Sequence, residues 1–328
     1  MKTRIIASAV LLPIFFAILF VFPPIVLTIV ISIIAAIAAY ELLHATKMNG
    51  NKRVLVYTIT ASVLVPMAVY LSSLTALTDE AVMMAEGSSS VTSINPYSLL
   101  TMLTLVFTIF FFLSCLLLIE AVLTFKGFKS IKTASSINPT TGTKSDTDAK
   151  TDAAEKQLKY RQVIVSLIAG IVIPWMLSSL ISLKTLPAGH LLVLLPIVST
   201  FLTDSGAYFT GVAIGKRKVL PTISPNKTLE GFVGGIIIGA FGLMIYGIIL
   251  SYATDLTVIY PALLLYGIIG AVVTEFGDLV FSFVKRKCSI KDYGKLIPGH
   301  GGALDRFDSM IFNAPTMCLL VMLLPAIY

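Results

Sequence analysis

The distribution of apolar and polar residues predicts a bundle of membrane-spanning helices. Apolar runs of about 20 residues, the length that a helix needs to cross the hydrocarbon core, recur along the chain between shorter polar segments. Windows of about 19 residues place nine helices at residues 5–22, 25–43, 54–73, 97–124, 162–182, 189–209, 231–253, 258–283 and 309–327. The sequence therefore predicts an all-α fold, a polytopic transmembrane helical bundle of about nine helices.

A polar segment divides this pattern into two halves. Residues 130–160 are rich in Ser, Thr, Asn, Asp and Lys and contain almost no large apolar side chains. Such a segment cannot bury enough surface to fold by itself. We therefore expect helices 1–4 within residues 1–125, a disordered cytoplasmic linker over 126–160, and helices 5–9 within residues 161–328.

Composition supports a membrane protein and excludes a soluble domain. Hydrophobic residues make up 56% of the chain and charged residues 12%, with a mean hydropathy of +0.93, which leaves too few polar side chains to cover a soluble surface. The formal charge of +7 is better explained by attraction to anionic lipid head groups and substrates than by nucleic-acid binding. The three cysteines show neither disulfide-type nor metal-type spacing. Because the first apolar run passes through Pro23-Pro24 into a second one, we expect a retained helix rather than a cleaved signal peptide.

The placement of basic residues supports nine helices and predicts their orientation. With nine spans, 23 of the 24 Lys and Arg residues fall at the N-terminus or in the loops after helices 2, 4, 6 and 8. Only Lys184 falls on the opposite face. Since basic loops stay in the cytoplasm, we expect a cytoplasmic N-terminus, a C-terminus on the other side, and a location in a bacterial-type inner (plasma) membrane.

Acidic residues near the C-terminal end predict a metal site. Asp278 lies within the eighth apolar run, and Asp305 and Asp308 are three residues apart where the ninth helix should begin, so these two share one helix face. A charge within a membrane helix costs roughly 2.5–3.5 kcal/mol, and clustered carboxylates repel one another. A divalent cation with oxygen ligands, such as Mg²⁺, would compensate this charge. The simpler alternative is that Asp305 pairs with Arg306 or with a lysine of the same loop.

Basic and glycine-rich segments surround these acids. The basic residues are Lys216, Arg217, Lys218, Lys227, Lys285, Arg286, Lys291 and Arg306. Positive charge beside a metal suits polyphosphate binding, and Gly299, Gly301 and Gly302 offer backbone amides for a phosphate. Ser224-Pro225 predicts a second sharp turn rich in hydrogen-bond donors. Because all these residues fall in basic loops or beside them, we expect the active site at the cytoplasmic interface.

Two further patterns are less specific. The run from Gly211 to Arg217 resembles a Walker A loop, but its glycine spacing is too short and Arg217 stands where Ser or Thr must bind Mg²⁺. Gly231, Gly235 and Gly239 have the four-residue spacing of closely packed membrane helices. Packing within the bundle is the favoured interpretation of this stripe, and homodimerisation is the alternative.

The same residues resemble the signature of the phosphatidate cytidylyltransferases (CDP-diacylglycerol synthases). The downstream motif reads Ser282-x2-Lys285-Arg286-x4-Lys291-Asp292-x-Gly294-x2-Ile297-Pro298-x-His300-Gly301-Gly302-x2-Asp305-Arg306-Phe307-Asp308. The upstream motifs are Asp204-Ser-Gly-Ala-Tyr-Phe and Ser224-Pro225-x-Lys227-Thr228-x-Glu230-Gly231. Together they extend over about 105 residues of the chain. The resemblance implies a reaction of CTP with phosphatidate, giving CDP-diacylglycerol for phospholipid biosynthesis and pyrophosphate.

This reaction suggests a role for each of the acidic and basic residues. We expect Asp278, Asp305 and Asp308 to hold Mg²⁺, with room for a second monovalent or divalent cation. The residues expected to contact phosphates of CTP or lipid are Lys227, Lys285, Arg286, Lys291 and Arg306. Weaker candidates for binding substrate are Ser224, Thr228, His300, Gly301 and Gly302; His300 is equally well explained as a turn residue or an acid–base group. Asp204 is either a further site acid or a lysine partner.

Two other functions compete with this one. A CTP-dependent lipid kinase would transfer the γ-phosphoryl group and release CDP. A secondary transporter would carry acids distributed through several helices and an inverted repeat, whereas the acids here gather at one edge and no repeat is evident. A CDP-alcohol phosphotransferase is excluded because its paired Asp-x3-Asp motif is absent.

Overall fold

The computed structural model of the protein describes residues 13–48, 51–85, 161–294, 296 and 301–327. The predicted helix at 97–124, the predicted linker at 126–160 and much of the first predicted helix lie outside these residues. Residues 13–20 are helical. Seven long helices follow: α1 (Pro24–Ala45), α2 (Lys52–Ala85), α3 (Arg161–Thr185), α4 (Gly189–Ile214), α5 (Leu229–Ala253), α6 (Tyr260–Lys287) and α7 (Leu304–Leu323).

Six of these helices, α1 to α6, are long and apolar enough to cross a membrane. The seventh, α7, has 20 residues, but its polar first turns, which contain Asp305 and Asp308, lower its mean hydropathy. Proline stands in the first turn of both α1 and α6, where its missing N–H leaves no helical hydrogen bond unmade. The expected helical bundle is thus confirmed for the described part of the chain, and the protein is an integral membrane protein.

The glycine stripe of α5 packs against α4. Side-chain atoms added at Gly235 would meet the Thr203 carbonyl and Ala207, and at Gly239 they would overlap the Thr203 hydroxyl. These close approaches need the small residues. The interpretation of the stripe as internal packing is therefore confirmed, and this face of α5 is not available to a second copy of the chain.

A short antiparallel hairpin connects α4 to α5. Strand β1 (Lys218–Leu220) pairs with β2 (Ser224–Thr228). The Glu230 carboxylate accepts hydrogen bonds from the backbone N–H groups of Lys216 and Arg217, which fixes the hairpin to the start of α5. The predicted turn at Ser224-Pro225 is wrong: the chain turns at residues 221–223 and Ser224 begins a strand. In a two-stranded hairpin, Pro225 can stand where no partner needs its N–H.

One end of the bundle gathers the hairpin and several helix ends. Gln162, near the start of α3, donates to the Met48 carbonyl after α1 (3.2 Å). Arg286, near the end of α6, donates to the Ile223 carbonyl in the hairpin turn (3.1 Å). The start of α7 lies against the last turn of α1. We call this the hairpin end of the bundle.

Different contacts mark the opposite end. Lys184, in the last turn of α3, donates to the carbonyls of Ile18 (2.5 Å) and Phe22 (2.8 Å) at the end of the first helical segment. The Ile259 N–H before α6 bonds to the Ala326 carbonyl after α7 (2.8 Å). Loops that the nine-helix pattern assigns to one face therefore meet at one end of the bundle.

Candidate active site

A cluster of charged side chains lies at the hairpin end, between three helices and the hairpin. It contains five carboxylates and two lysines: Asp204 from α4, Lys227 from β2, Glu275, Asp278 and Lys285 from α6, and Asp305 and Asp308 from α7. The spacing within each helix explains why these side chains meet, since residues three apart share a helix face. Glu275 and Asp278 form one such pair, and Asp305 and Asp308 form the other.

Lys227 bridges two of the acids. Its ammonium lies 2.5 Å from Glu275 Oε2 and 2.7 Å from Asp278 Oδ2. Burial alone would lower the pKa of Lys227, but the carboxylates of Asp278 and Glu275 outweigh burial and raise this pKa above the ordinary lysine value. The hairpin therefore supplies a permanent positive charge to the site at neutral pH.

Lys285 bridges the second acid pair. Its ammonium lies 3.1 Å from Asp305 Oδ1 and 3.6 Å from Asp308 Oδ2. The other oxygen of Asp305 accepts hydrogen bonds from the backbone N–H groups of Tyr293 (2.8 Å) and Gly302 (3.0 Å). Asp305 thus connects the end of α6, the following loop and the start of α7. Asp308 Oδ1 accepts only from Ser309 of its own helix among the described residues.

The cluster has more negative charge than the two lysines neutralise. Asp204 interacts electrostatically with Asp278, Asp308 and Glu275 as well as with Lys227, which makes it a member of the acidic cluster rather than the partner of one lysine. Five carboxylates share two ammonium groups. Such an excess favours the binding of cations between the acids.

The described residues do not, as they stand, form a metal-binding group. No three His, Cys, Asp or Glu side chains in this part of the chain are arranged closely enough to hold an ion. Lys227 and Lys285 instead occupy the positions between the carboxylates. The chemistry of the donor set still fits a hard cation, because every acidic ligand offers oxygen and the acids outnumber the lysines.

Several residues expected to bind substrate have structural partners. Thr228 caps α5, its buried hydroxyl accepting from the Gly231 N–H (3.1 Å). The Arg286 guanidinium donates to the Ile223 and Ile290 carbonyls and holds the hairpin turn against the end of α6. Gly301 has a φ of +91°, a left-handed conformation that favours glycine. The backbone N–H of Gly302 donates a hydrogen bond to Asp305 Oδ2.

Other predicted residues lie around the cluster. Lys291 and Arg306 are exposed, and Ser224 is half-buried at the start of β2. Their positions leave their polar groups accessible to a ligand that approaches the hairpin end. His300 lies outside the described residues.

Glu275 has a central place that the sequence did not assign to it. Its side chain is 1% exposed, and while Oε2 bonds to Lys227, Oε1 is buried without a hydrogen-bond partner among the described residues. The signal was present, because an acid three residues before Asp278 in an apolar run must face the same way. The contact with Lys227, 48 residues earlier in the chain, could not be predicted from spacing within one helix.

The fold and this cluster define an integral membrane protein with a charged site at one end of its helices. A sequence model described as the cytidylyltransferase family matches residues 2–324. The chain belongs to this family.

Curated relatives support the same assignment. A phosphatidate cytidylyltransferase from Bacillus subtilis (strain 168) is 48% identical over 121 residues, 37% of this chain and 44% of that protein. Phosphatidate cytidylyltransferases from Staphylococcus haemolyticus (strain JCSC1435) and Staphylococcus epidermidis (strain ATCC 35984) are 43% identical over 129 residues and 41% over 138 residues. These matches cover 39% and 42% of this chain, and 48% and 52% of the two proteins. The chain spans about half the length of the curated relatives it matches.

Proposed function

We propose that this protein is a phosphatidate cytidylyltransferase. A phosphate oxygen of phosphatidate attacks the α-phosphorus of CTP, the bond from that phosphorus to the β-phosphate oxygen breaks, and pyrophosphate leaves. The products are CDP-diacylglycerol and pyrophosphate. The observation that carries the proposal is the cluster of five carboxylates and two lysines at one end of a membrane bundle, in a chain of the cytidylyltransferase family.

The side chains suit this reaction because its nucleophile is already ionised. A phosphate monoester is an anion at neutral pH, so the site needs no strong general base. Its tasks are to align two anions and to stabilise the charge that develops on the transferred phosphorus and the leaving group. Lys227 and Lys285 carry the positive charge within the cluster, and the exposed Lys291 and Arg306 extend it toward the solvent.

We propose Mg²⁺ as the cofactor, held by Asp278, Asp305 and Asp308, with Asp204 and Glu275 adding negative charge nearby. The excess of acids over lysines supports this assignment. A bound Mg²⁺ would polarise phosphate oxygens and offset their charge. One Asp305 oxygen accepts from two backbone N–H groups, so this residue also fixes the loop that carries the site.

We propose that the hairpin end faces the cytoplasm of a bacterial-type inner membrane. Basic residues predominate in the loops that meet there, as expected for the inner face. This orientation supplies CTP from the cytosol while the acyl chains of phosphatidate stay in the bilayer.

The test is an assay with two labelled products. Purified protein is incubated with α-labelled CTP, phosphatidate and Mg²⁺; labelled CDP-diacylglycerol and labelled CDP are measured, and pyrophosphate is measured by a separate coupled assay. We expect CDP-diacylglycerol with an equal amount of pyrophosphate from the parent, and a loss of at least about 100-fold in Asp305→Asn, the scale of losing a key electrostatic contact. Asp255→Asn, an exposed acid at the opposite end of the bundle, is the matched control and should keep the parent's rate.

Each rival function gives a different result. A CTP-dependent lipid kinase would release labelled CDP and no pyrophosphate, and a transporter would turn over no CTP. Neither function appears in the names of the three relatives described above. Equal rates in the parent and Asp305→Asn would remove Asp305 from the mechanism.

A further inference from the structure

A further carboxylate, which is buried, lies beside the cluster, on the opposite side of its loop. Glu41 is in the last turns of α1, and its side chain is 5% exposed. Its two oxygens accept hydrogen bonds from the backbone N–H groups of Ala303 (3.1 Å) and Leu304 (2.8 Å). A residue from the N-terminal part of the chain thus binds the first residues of α7.

Helix α7 needs this contact because it lacks a capping side chain of its own. The first N–H groups of a helix have no partner within the helix. Ser, Thr, Asp or Asn usually supplies one from the position before the helix, but here that position is Ala303, whose side chain cannot accept a hydrogen bond. Glu41 satisfies two of these groups and also places a negative charge at the positive end of the helix dipole.

The glycines of the loop make room for this carboxylate. A Cβ atom added at Gly294 or at Gly302 would overlap the carboxylate of Glu41. Any side chain at these positions would therefore displace Glu41 from Ala303 and Leu304. Two glycines of the C-terminal motif are thus explained by a residue more than 250 positions earlier.

Glu41 and Asp305 hold the loop from its two sides. Asp305 accepts from the N–H groups of Tyr293 and Gly302, and Glu41 accepts from those of the next two residues, Ala303 and Leu304. Asp305 and Asp308 follow Leu304 within one helical turn. The position of both acids is therefore set by where Glu41 fixes the beginning of α7.

We propose that Glu41 is a positioning residue of the active site, which sets the distance of Asp305 and Asp308 from Lys285 and from the substrates. This role rests on the proposed function, since it concerns the same site. Glu41 does not itself contact Lys227, Lys285 or Asp308 among the described interactions. Its effect on the reaction passes through the start of α7.

The experiment compares Glu41→Ala and Glu41→Gln with a matched control, Lys184→Met. Lys184 is also buried and also caps the end of a distant helical segment, but at the opposite end of the bundle. The unfolding temperature, kcat and the KM for CTP are measured in detergent, with every assay run below the lowest unfolding transition. Lys184→Met should unfold at a lower temperature and keep kcat within about twofold of the parent, because its contacts are far from the site.

In Glu41→Ala we expect kcat to fall by about 100-fold, because displacement of reacting groups by about 1 Å has effects of this size. The KM for CTP should change by less than about threefold, since the exposed basic residues remain. Glu41→Gln should fall between Glu41→Ala and the parent, because its amide oxygen can still accept one of the two hydrogen bonds. This order is the signature of positioning.

A purely structural role gives another outcome. If Glu41→Ala and Lys184→Met lose the same stability and both keep the parent's kcat, the proposal is overturned. If Glu41→Ala does not fold, Glu41→Gln decides: a kcat lower by about tenfold supports positioning, and an unchanged kcat overturns it.

An inactive parent would contradict the proposed function. The role of Glu41 in fixing the start of α7 would then be tested by a second measurement. Hydrogen exchange reports directly on the two amides. Faster exchange of the segment containing Ala303 and Leu304 in Glu41→Gln, with unchanged exchange around Ile18 and Phe22, supports fixation of α7 by Glu41. Equal exchange in variant and parent overturns it.

Discussion

Lys227 is the residue on which the buried charge of α6 depends. It is the only described cation within salt-bridge distance of Glu275, whose side chain is almost fully buried. Removal of one partner of a buried ion pair leaves an uncompensated charge, which costs much more than the pair contributes when intact. Lys227 is therefore expected to affect both the stability of the protein and the proposed reaction.

Lys227→Met should destabilise the protein strongly. We expect a loss of about 3 kcal/mol or more in the free energy of unfolding, measured by denaturant unfolding in detergent, because Glu275 loses its partner. The double variant Lys227→Met/Glu275→Gln should recover part of this loss, because a neutral amide is less costly to bury than a carboxylate. Lys218→Met, on the exposed side of the same hairpin, should change stability by less than about 0.5 kcal/mol. A double variant no more stable than Lys227→Met would contradict the explanation.

At the scale of residues, the sequence predicted the acids better than their partners. Spacing along one helix places Asp305 and Asp308 on one face, and the structure has them both beside Lys285. Among the described residues, the ion-pair partner of Asp305 is Lys285 of the preceding helix rather than Arg306 or Lys291. Spacing rules act only within an element, so a contact between two elements requires knowledge of how those elements pack.

At the scale of elements, the close packing of α4 and α5 is the feature most sensitive to substitution. Gly239→Leu should destabilise the protein by about 1–3 kcal/mol, because overpacking of a filled interface has costs in this range and the added atoms meet Thr203. The shift is measured as a lower unfolding midpoint in detergent. The control is Phe241→Leu on the outer face of α5, where 65% of the side chain is exposed. Similar midpoints for both variants would show that this face of α5 is not packed.

Hydropathy located the described helices but not their polar ends. The ninth predicted helix begins at residue 309, whereas α7 begins at Leu304 and therefore includes Asp305 and Asp308. The eighth ends at 283 in the prediction, whereas α6 continues to Lys287 and includes Lys285. Apolar windows end where charge begins, although backbone hydrogen bonds continue into the charged turns. Lys285, Asp305 and Asp308 lie in these turns, outside the apolar windows, although the spacing of the two acids already places them on one face at a helix start.

At the scale of the whole molecule, the two ends of the bundle should face different compartments. A single cysteine placed at Lys218, at the hairpin end, should react with a membrane-impermeant maleimide only after the cells are permeabilised. A cysteine placed at Asp255, at the other end, should react in intact cells. Both substitutions are made in a background without Cys115, Cys288 and Cys318. The reverse labelling pattern would contradict the proposed orientation, and labelling of both sites in intact cells would contradict the separation itself.

The contact between Glu41 and Leu304 also has a consequence for biosynthesis. At about 5–20 residues per second, a ribosome needs roughly 15–50 s to travel from one to the other. During this time Glu41 lacks the backbone N–H groups that it binds in the folded protein. A truncated mRNA that ends before α7 would produce a chain in which Glu41 never acquires them. A chain truncated before α7 should therefore be degraded faster than the full chain, because Glu41 then lacks the backbone N–H groups of Ala303 and Leu304.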